Sequence, residues 1–194
     1  MSVGRVYIVR HGNTFDKGDT ILRVGGKTDL PLSSSGLEQA NRLAMAFENI
    51  DFSKAYSSDL KRTRQTAEAI LGQPSYDLAD FLTEVDYGPD EGLPETEVIS
   101  RIGADALRRW DREAIPPKGW KVDVEGLRTA WQAFLANCDP SSNTLVVTSN
   151  GVARFLLDSV VCDKSVPLKL RTGSYGIVEF DPIGPVLADW NIRP

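Results

Sequence analysis

The sequence predicts an α/β fold of three layers, α/β/α, with a mostly parallel central sheet covered by helices on both faces. Strand-like and helix-like runs alternate along the chain, which is typical of such sheets. Two of the strand-like runs, ending near Val9 and Thr148, are short and apolar and lead directly into small polar loops. No repeat or linker divides the chain, so we expect one domain over residues 1–194, with ligands at the carboxyl ends of the strands.

The first half of the chain predicts two strands and two helices. Ser35, with Glu38 three residues later, has the pattern of a capping box at the start of the first helix. Gly72 is a residue that commonly ends a helix, and it follows the second one. The predicted elements are a strand over 3–9, a helix over 35–49, a strand over 54–57 and a helix within SSDLKRTRQTAEAILG.

The second half predicts a strand or extended edge over 77–85 and a mostly polar helical region over 94–114. Pro116 and Pro117 close that region. A helix over 124–136 follows, and the apolar strand in TLVVTSNG then repeats the arrangement seen at the start of the chain. The remaining predicted elements are a helix in VARFLLDSVV and two strands in SYGIVEFD and VLADWNI, separated by a Pro/Gly turn.

The composition excludes several functional classes. The formal net charge of −5 and the pI near 5.0 argue against a surface that binds nucleic acid or an anionic membrane. No apolar run approaches the roughly 20 residues of a membrane helix and no signal-peptide pattern is visible, so we expect a cytoplasmic protein. The cysteines, Cys138 and Cys162, are too few for a disulfide framework and are expected to be free.

We expect neither a metal nor a cofactor. With a single histidine in the chain, a zinc site of cysteine and histidine ligands cannot be assembled. Counting residues leaves a magnesium site built from carboxylates open.

The strongest chemical signal is Arg10-His11-Gly12 at the end of the first predicted strand. It combines a permanent cation, an imidazole with a pKa near neutrality and a residue that allows close approach of the backbone. A tripeptide of this kind also arises by chance, and a lone histidine is more often packed or solvated than catalytic. The surrounding sequence therefore has to decide its meaning.

Five blocks, taken in order, resemble the histidine phosphatase (phosphoglycerate mutase-like) superfamily. The blocks are RHGNT, TDLPLSSSGLEQA, YSSDLKRTRQTAEAI, LTEVDYG and VVTSNGVARF, and together they span residues 3–157. Their order and spacing make the resemblance specific, since each block alone is permissive. The resemblance implies a phosphoglycerate mutase-like fold and phosphoryl transfer through a phosphohistidine.

The resemblance assigns roles to four residues. It implies that His11 is the nucleophile, that Arg10 and Arg62 hold the transferred phosphate, and that Glu84 is the proton donor. Planar bidentate donors suit a phosphoryl group, whose negative charge is spread over its oxygens. A neutral imidazole can attack phosphorus while a carboxylic acid protonates the leaving oxygen, and neither step needs a metal.

The same residues have less specific interpretations. Arg62 lies between Lys61 and Arg64, so it could belong to a solvated helix face. Glu84 has three acidic neighbours in the same turn-rich stretch, Asp86, Asp90 and Glu91.

The chain departs from the family pattern at several positions. The pattern has a second histidine where this chain reads Ser149-Asn150-Gly151. Asn150 can donate an amide N–H but cannot carry positive charge; the loss of one such donor costs roughly 3–4 kcal/mol, or about a hundred- to thousandfold in rate. Asn13 replaces an acidic residue or glutamine, and Lys17 replaces an asparagine that often touches the phosphate. Trp120 lies in a segment that often borders the substrate mouth.

The sequence therefore predicts hydrolysis of a small phosphorylated metabolite, with activity reduced by Asn150. A non-catalytic domain that binds a phosphorylated ligand is the alternative. A phosphoglycerate mutase is a further alternative, ranked lower because such mutases tend to be longer, with inserts that shield the phosphohistidine from water. The substrate and the oligomeric state stay open, a homodimer being one arrangement.

Overall fold

The protein folds around one six-stranded sheet flanked by helices, as described by a computed structural model for residues 4–194. The strands lie in the order β3-β2-β4-β1-β5-β6. Their bounds are β1 Arg5–Arg10, β2 Phe52–Ser57, β3 Asp77–Leu78, β4 Asn143–Thr148, β5 Tyr175–Asp181 and β6 Gly184–Ile192. The helices are α1 Ser34–Ala46, α2 Lys61–Leu71, α3 Glu95–Ile102, α4 Ala104–Glu113, α5 Val124–Ala136 and α6 Asn150–Ala153. The predicted start of the first strand at Val3 lies outside the described residues.

The sheet is mostly parallel, which confirms the predicted fold class. Strands β3, β2, β4 and β1 run parallel to their neighbours, whereas β5 pairs antiparallel with both β1 and β6. In the register of β1 and β4, Arg10 lies opposite Thr148. The two apolar strands therefore end side by side and deliver their polar loops to the same edge of the sheet.

The core has two halves because successive side chains of the central strands point to opposite faces. Val6 and Ile8 of β1 pack on one face with α5 and Trp110 of α4. Tyr7 and Val9 pack on the other face, against α1 and α2. These two clusters lie between the sheet and the helical layers that the sequence predicts on its two faces.

The first helix begins one residue earlier than predicted, and its cap differs. Ser33 is the N-cap, and its side chain accepts a hydrogen bond from the backbone N–H of Gly36. The capping box predicted from Ser35 and Glu38 is therefore wrong. At the other predicted boundary, Gly72 caps α2 in the left-handed conformation, with φ of 71°, as the sequence indicates.

Three segments differ from the prediction because of local backbone geometry. The edge expected over 77–85 is a strand only at Asp77–Leu78, after which Asp80–Leu82 forms a 3₁₀ turn. The helical region expected over 94–114 is two helices, since Gly103 has φ of 82° and interrupts it. After α6 the chain tightens into a 3₁₀ segment, Arg154–Ser159, in place of the predicted longer α-helix.

Within residues 4–194, no helix has both the length and the apolar composition needed to cross a bilayer. Both cysteines are free and half-buried.

Trp131 of α5 connects the core to the site-bearing end of the sheet. Its ring is fully buried, and its Nε1–H donates to the carbonyl oxygen of Val152 in α6 over 3.0 Å. We predict that Trp131→Phe lowers the free energy of unfolding by roughly 2–4 kcal/mol, because it leaves a cavity and removes a buried hydrogen bond. Urea unfolding measures this loss. The control, Trp190→Phe, removes a half-buried ring on β6 and should cost less; an equal loss in both variants would contradict the prediction.

Candidate active site

The site begins where β1 and β4 end. The backbone N–H of His11 donates to the carbonyl of Thr148 over 3.2 Å, which carries the pairing of the two strands one residue further. His11 and the residues after Thr148 therefore lie next to each other. This edge opens into a cavity of about 810 Å³, whose walls include His11, Arg10, Arg62, Glu84 and Asn150. The structure thus brings together the residues that the sequence singles out.

The His11 ring is held in one tautomer. Its Nδ1 lies 2.7 Å from the carbonyl oxygen of Gly12, and because a carbonyl can only accept, Nδ1 carries the proton. Nε2 then carries the lone pair of the ring. The ring is only 6% exposed. Close packing beneath it requires Gly12, since a Cβ there would lie 2.4 Å from the carbonyl oxygen of Gly36.

Arg62 lies directly against the imidazole. Its Nε donates to Nε2 of His11 over 3.3 Å, and the side chain is 1% exposed. Two backbone carbonyls fix the rest of the guanidinium: Nη1 donates to Thr28 over 2.9 Å, and Nη2 donates to Gly25 over 3.1 Å. Arg62 therefore does not lie on a solvated helix face, unlike its neighbours Lys61 and Arg64, which are exposed or nearly so.

Arg10 contributes a second cation, which is half-buried at the cavity. Its Nη1 donates to the carbonyl of Leu170 over 2.8 Å, whereas its buried Nε has no hydrogen-bond partner among residues 4–194. Burial lowers the pKa of Arg10 to about 10, so the side chain stays charged at neutral pH. A guanidinium with a buried and unsatisfied N–H is well prepared to bind an anion.

Glu84 is anchored at the same cavity by backbone N–H groups. Its Oε1 accepts from Val85 over 3.0 Å and its Oε2 accepts from Gly151 over 3.2 Å. The second bond ties the carboxyl to the loop after β4. Gly151 is required for this contact, because a Cβ at that position would lie 2.1 Å from Oε1 of Glu84.

The three acidic neighbours of Glu84 are engaged elsewhere. Asp90 is fully buried and accepts from the indole N–H of Trp120, while Asp86 pairs with Lys27. Glu91 accepts from the backbone of Gly25 and Lys27. None of the three lines the cavity of His11 within the described chain.

Asn150 presents its amide to the cavity. Its Oδ1 accepts from the backbone N–H of Leu170 over 2.9 Å, which fixes the orientation of the amide. The side chain is 8% exposed. The Nδ2 group, which has no protein acceptor in the part of the chain that the structure describes, is left to donate to a ligand.

Asn13 and Lys17 also line the cavity, but in different ways. The Asn13 amide is used within the protein, since Nδ2 donates to Ser35 over 3.2 Å and Oδ1 accepts from Thr172 over 2.5 Å. Lys17 is exposed at the rim. The structure thus places Asn13 as a fixed part of the wall and Lys17 as a mobile charge near the entrance.

Sequence reasoning missed several residues of the wall, including Arg23, Tyr87 and Trp110. Arg23 and Trp110 lie between the recognisable blocks, where no sequence signal distinguishes them from core residues. Tyr87 lies within the block LTEVDYG, in which only Glu84 has an expected role. Trp120, expected near the substrate mouth, instead packs behind Tyr87 and Trp110, at ring-centroid distances of 4.5 and 5.4 Å. Within residues 4–194, no group of three or more metal-binding side chains forms a cluster.

Burial controls the protonation of His11. Desolvation, followed by the positive charges of Arg62 and Arg10, lowers the pKa of the imidazole well below its usual value. Each effect disfavours the imidazolium. The ring is therefore neutral at physiological pH, as a nucleophile must be.

Comparison with known proteins places the chain in a family. Residues 6–193 match the histidine phosphatase superfamily (branch 1). The chain belongs to this superfamily. A 2,3-bisphosphoglycerate-dependent phosphoglycerate mutase of Methanosarcina mazei is 28% identical over 220 residues, covering 91% of this chain and 90% of the relative. The fructose-2,6-bisphosphatase TIGAR of Mus musculus is 37% identical over 127 residues, covering 62% of this chain and 46% of its own length.

Solved structures share the fold of this histidine phosphatase domain. A putative alpha-ribazole-5'-P phosphatase of Escherichia coli superposes with a TM-score of 0.76 at 23% identity, covering 99% of this chain and 98% of that one. A mycobacterial glucosyl-3-phosphoglycerate phosphatase superposes with a TM-score of 0.78 at 20% identity, covering 98% of this chain and all of the other. At these identities the likeness shows the fold alone.

The single histidine makes the neutral imidazole directly testable. We predict that its ring nitrogens, followed by long-range ¹H–¹⁵N NMR, show no protonation step near pH 6.5, because the folded pKa is depressed. The tautomer should be protonated at Nδ1. A midpoint near 6.5 in the folded protein would contradict the prediction.

The same depressed pKa affects stability. The unfolded chain binds a proton on His11 near pH 6.5 and the folded chain does not. The contribution of His11 to the free energy of unfolding is therefore complete above that pH and is lost as the pH falls below it. The free energy of unfolding of the wild type, measured with urea, should therefore fall toward pH 5. Its pH dependence should correspond to the uptake of one more proton on unfolding than in His11→Asn. Parallel profiles for the two proteins would exclude this linkage.

Proposed function

We propose that this histidine phosphatase domain hydrolyses a phosphate monoester through a phosphohistidine on His11. The observation that carries the proposal is the contact between Nε2 of His11 and Nε of Arg62, in a buried cavity that also holds Arg10. A neutral nucleophile stands there beside permanent cations. Phosphoryl transfer needs little else from a protein than this positioning and charge stabilisation.

In the first step, Nε2 of His11 attacks phosphorus. The N–P bond forms as the bond from phosphorus to the ester oxygen breaks, and Glu84, in its protonated form, gives its proton to the departing oxygen. The Nε–H of Arg62, which donates to Nε2 in the structure, turns to the phosphoryl oxygens in this step and so frees the lone pair of Nε2, and Arg10 donates to the same oxygens. The bond from Nδ1 to the Gly12 carbonyl stabilises the ring as it gains positive charge.

In the second step, water attacks the phosphohistidine. Glu84, now a carboxylate, takes a proton from the water as the new O–P bond forms and the N–P bond breaks. Orthophosphate leaves and the neutral imidazole returns. The backbone N–H groups of Val85 and Gly151 hold the carboxyl in place through both steps.

Asn150 determines how fast this chemistry runs. Its Nδ2 can donate one neutral hydrogen bond to a phosphoryl oxygen, and the bond from Leu170 to Oδ1 keeps the amide turned for that purpose. A neutral donor stabilises the transferred charge less than a cation does. We therefore propose a slow phosphatase rather than a fast one.

The same property of Asn150 favours a second candidate function. A pocket with several arginines and a neutral Asn150 can retain a phosphorylated ligand without turning it over. Product analysis must also separate a phosphatase from a mutase, because several of the curated relatives are named as phosphoglycerate mutases.

The phosphohistidine can be trapped directly. We predict that a panel of ³²P-labelled monoesters gives an acid-labile, alkali-stable label on the wild type together with release of orthophosphate, and that His11→Ala gives neither. Glu84→Gln, a control that keeps the nucleophile, should still take up label from an activated aryl phosphate, whose leaving group needs no proton. Equal hydrolysis by His11→Ala would overturn the proposal, and binding without label or turnover would favour the non-catalytic function.

Replacing Asn150 tests whether its neutral hydrogen-bond donor limits the rate. Nδ1 of an introduced imidazole can accept the Leu170 N–H that Oδ1 now accepts, leaving Nε2–H to reach toward the phosphoryl group. We predict that Asn150→His raises kcat by up to roughly a hundredfold. Asn150→Ala, which removes both bonds, should lower it. A rate in Asn150→His that is equal to or below the wild-type rate would show that the pocket is tuned to asparagine.

A further inference from the structure

Arg154 is, after Arg62, a second buried guanidinium beside this site, and the mechanism above does not use it. It is the first residue of the 3₁₀ segment after α6, and it is 1% exposed. Burial of an arginine removes its hydration, which is costly unless charge or hydrogen bonds replace it. The contacts of Arg154 therefore need an explanation.

Three contacts tie Arg154 to the wall of the cavity. Its Nε donates to the backbone carbonyl of Asn150 over 3.2 Å, and its Nη1 donates to the backbone carbonyl of Trp110. Its guanidinium carbon lies 3.9 Å from the centroid of the Trp110 ring, a stacked cation–π arrangement. Asn150 and Trp110 both line the cavity, so Arg154 lies immediately behind it.

The positive charge of Arg154 is poorly neutralised within the protein. Its nearest carboxylate is that of Asp111, whose Oδ1 is 4.0 Å from Nη2 and whose side chain is 51% exposed. Nη2 itself is buried and has no hydrogen-bond partner among residues 4–194. A buried cation with an unused N–H leaves its field to act on the neighbouring cavity, because little solvent screens it.

That field reaches the catalytic groups. Burial lowers the pKa of Arg10, and the charge of Arg154 lowers it further; burial also lowers the pKa of Arg154, and the charge of Glu84 opposes that shift. Arg10, Arg62 and Arg154 thus form one electrostatically linked group. Two of the three, Arg10 and Arg154, have a buried N–H without a partner in the described chain.

We propose that Arg154 is a positioning residue that holds Asn150 and Trp110 at the cavity and supplies, from behind, the positive charge that Asn150 lacks. The pocket is then built for a dianion around Arg10 and Arg62 in the wall and Arg154 behind it, whereas Arg23, also in the wall, is paired with Glu95. The inference rests on the proposed function only in the choice of a phosphoryl group as ligand.

The test measures affinity for inorganic phosphate, so it does not depend on turnover. Calorimetric titration at neutral pH compares the wild type with Arg154→Met, Arg154→Gln and Arg154→Lys. We expect the two neutral variants to bind orthophosphate at least roughly tenfold more weakly, because a buried charge near the ligand is lost. Arg154→Lys should stay within about threefold, since it keeps the charge. Arg112→Met, which removes an exposed arginine of α4, is the matched control and should bind as the wild type does.

Rescue separates an electrostatic role from a structural one. If Arg154 compensates for Asn150, the Asn150→His substitution should increase phosphate affinity by a larger factor in Arg154→Gln than in the wild type. A change that only loosened the fold would not be rescued in this way. Thermal unfolding shows which variants are folded, and any folded neutral variant suffices for the comparison.

Several results would overturn the inference. They are wild-type affinity in a folded Arg154→Met or Arg154→Gln protein, a loss in Arg154→Lys as large as in the neutral variants, or an equal gain from Asn150→His in both backgrounds. Absence of turnover together with phosphate binding that depends on Arg154 would refute the proposed phosphatase and leave this inference standing. Turnover together with binding that is indifferent to Arg154 would do the reverse.

Discussion

The contact between the buried guanidinium of Arg62 and the imidazole of His11 is the constraint on which the site depends. A permanent cation 3.3 Å from Nε2, in a pocket where the imidazole is desolvated, keeps the ring neutral. The same cation then meets the negative charge that an attacked phosphoryl group brings. Both effects require burial, since an exposed arginine would be screened by solvent and would move freely.

The sheet topology lowers the free-energy cost of burying the guanidinium groups. Parallel pairing of β1 with β4 brings two polar loops together at one edge, and carbonyls of the surrounding loops, Thr28, Gly25 and Leu170, accept the guanidinium hydrogen bonds. Each arginine therefore keeps part of its hydrogen bonding after leaving water. Because Gly12 and Gly151 have no side chain, backbone and carboxyl groups approach closely enough there to form the wall of the cavity. The fold therefore shapes the site directly, because the guanidinium groups of Arg10 and Arg62 are held by backbone carbonyls rather than by carboxylates.

The sequence predicts the fold and the centre of the site well, because apolar strands that end in polar loops and a helix ended by Gly72 are local signals. It also selects Glu84 from among four acidic residues, through the order of the motifs rather than through local chemistry. It does not predict the role of Ser33 as helix cap, the interruption of the 94–114 region at Gly103, or the cavity contacts of Arg23 and Trp110. The interruption comes from the local backbone geometry of Gly103, whereas the Ser33 cap, which also donates to the carbonyl of Asn13, and the cavity contacts depend on tertiary packing, which a local pattern does not encode. Arg154 is the clearest example: it stands within a recognised block, yet only coordinates reveal that it lies behind Asn150.

The most direct test of whether these side chains act together on one phosphoryl group is a crystal structure with orthovanadate, which adopts the geometry of a phosphoryl group in transfer. The mechanism predicts vanadium bonded to Nε2 of His11, with equatorial oxygens accepting from Arg10, Arg62 and Nδ2 of Asn150, and Glu84 facing the apical oxygen opposite the imidazole. Vanadate bound away from Nε2, or held without either arginine, would contradict it.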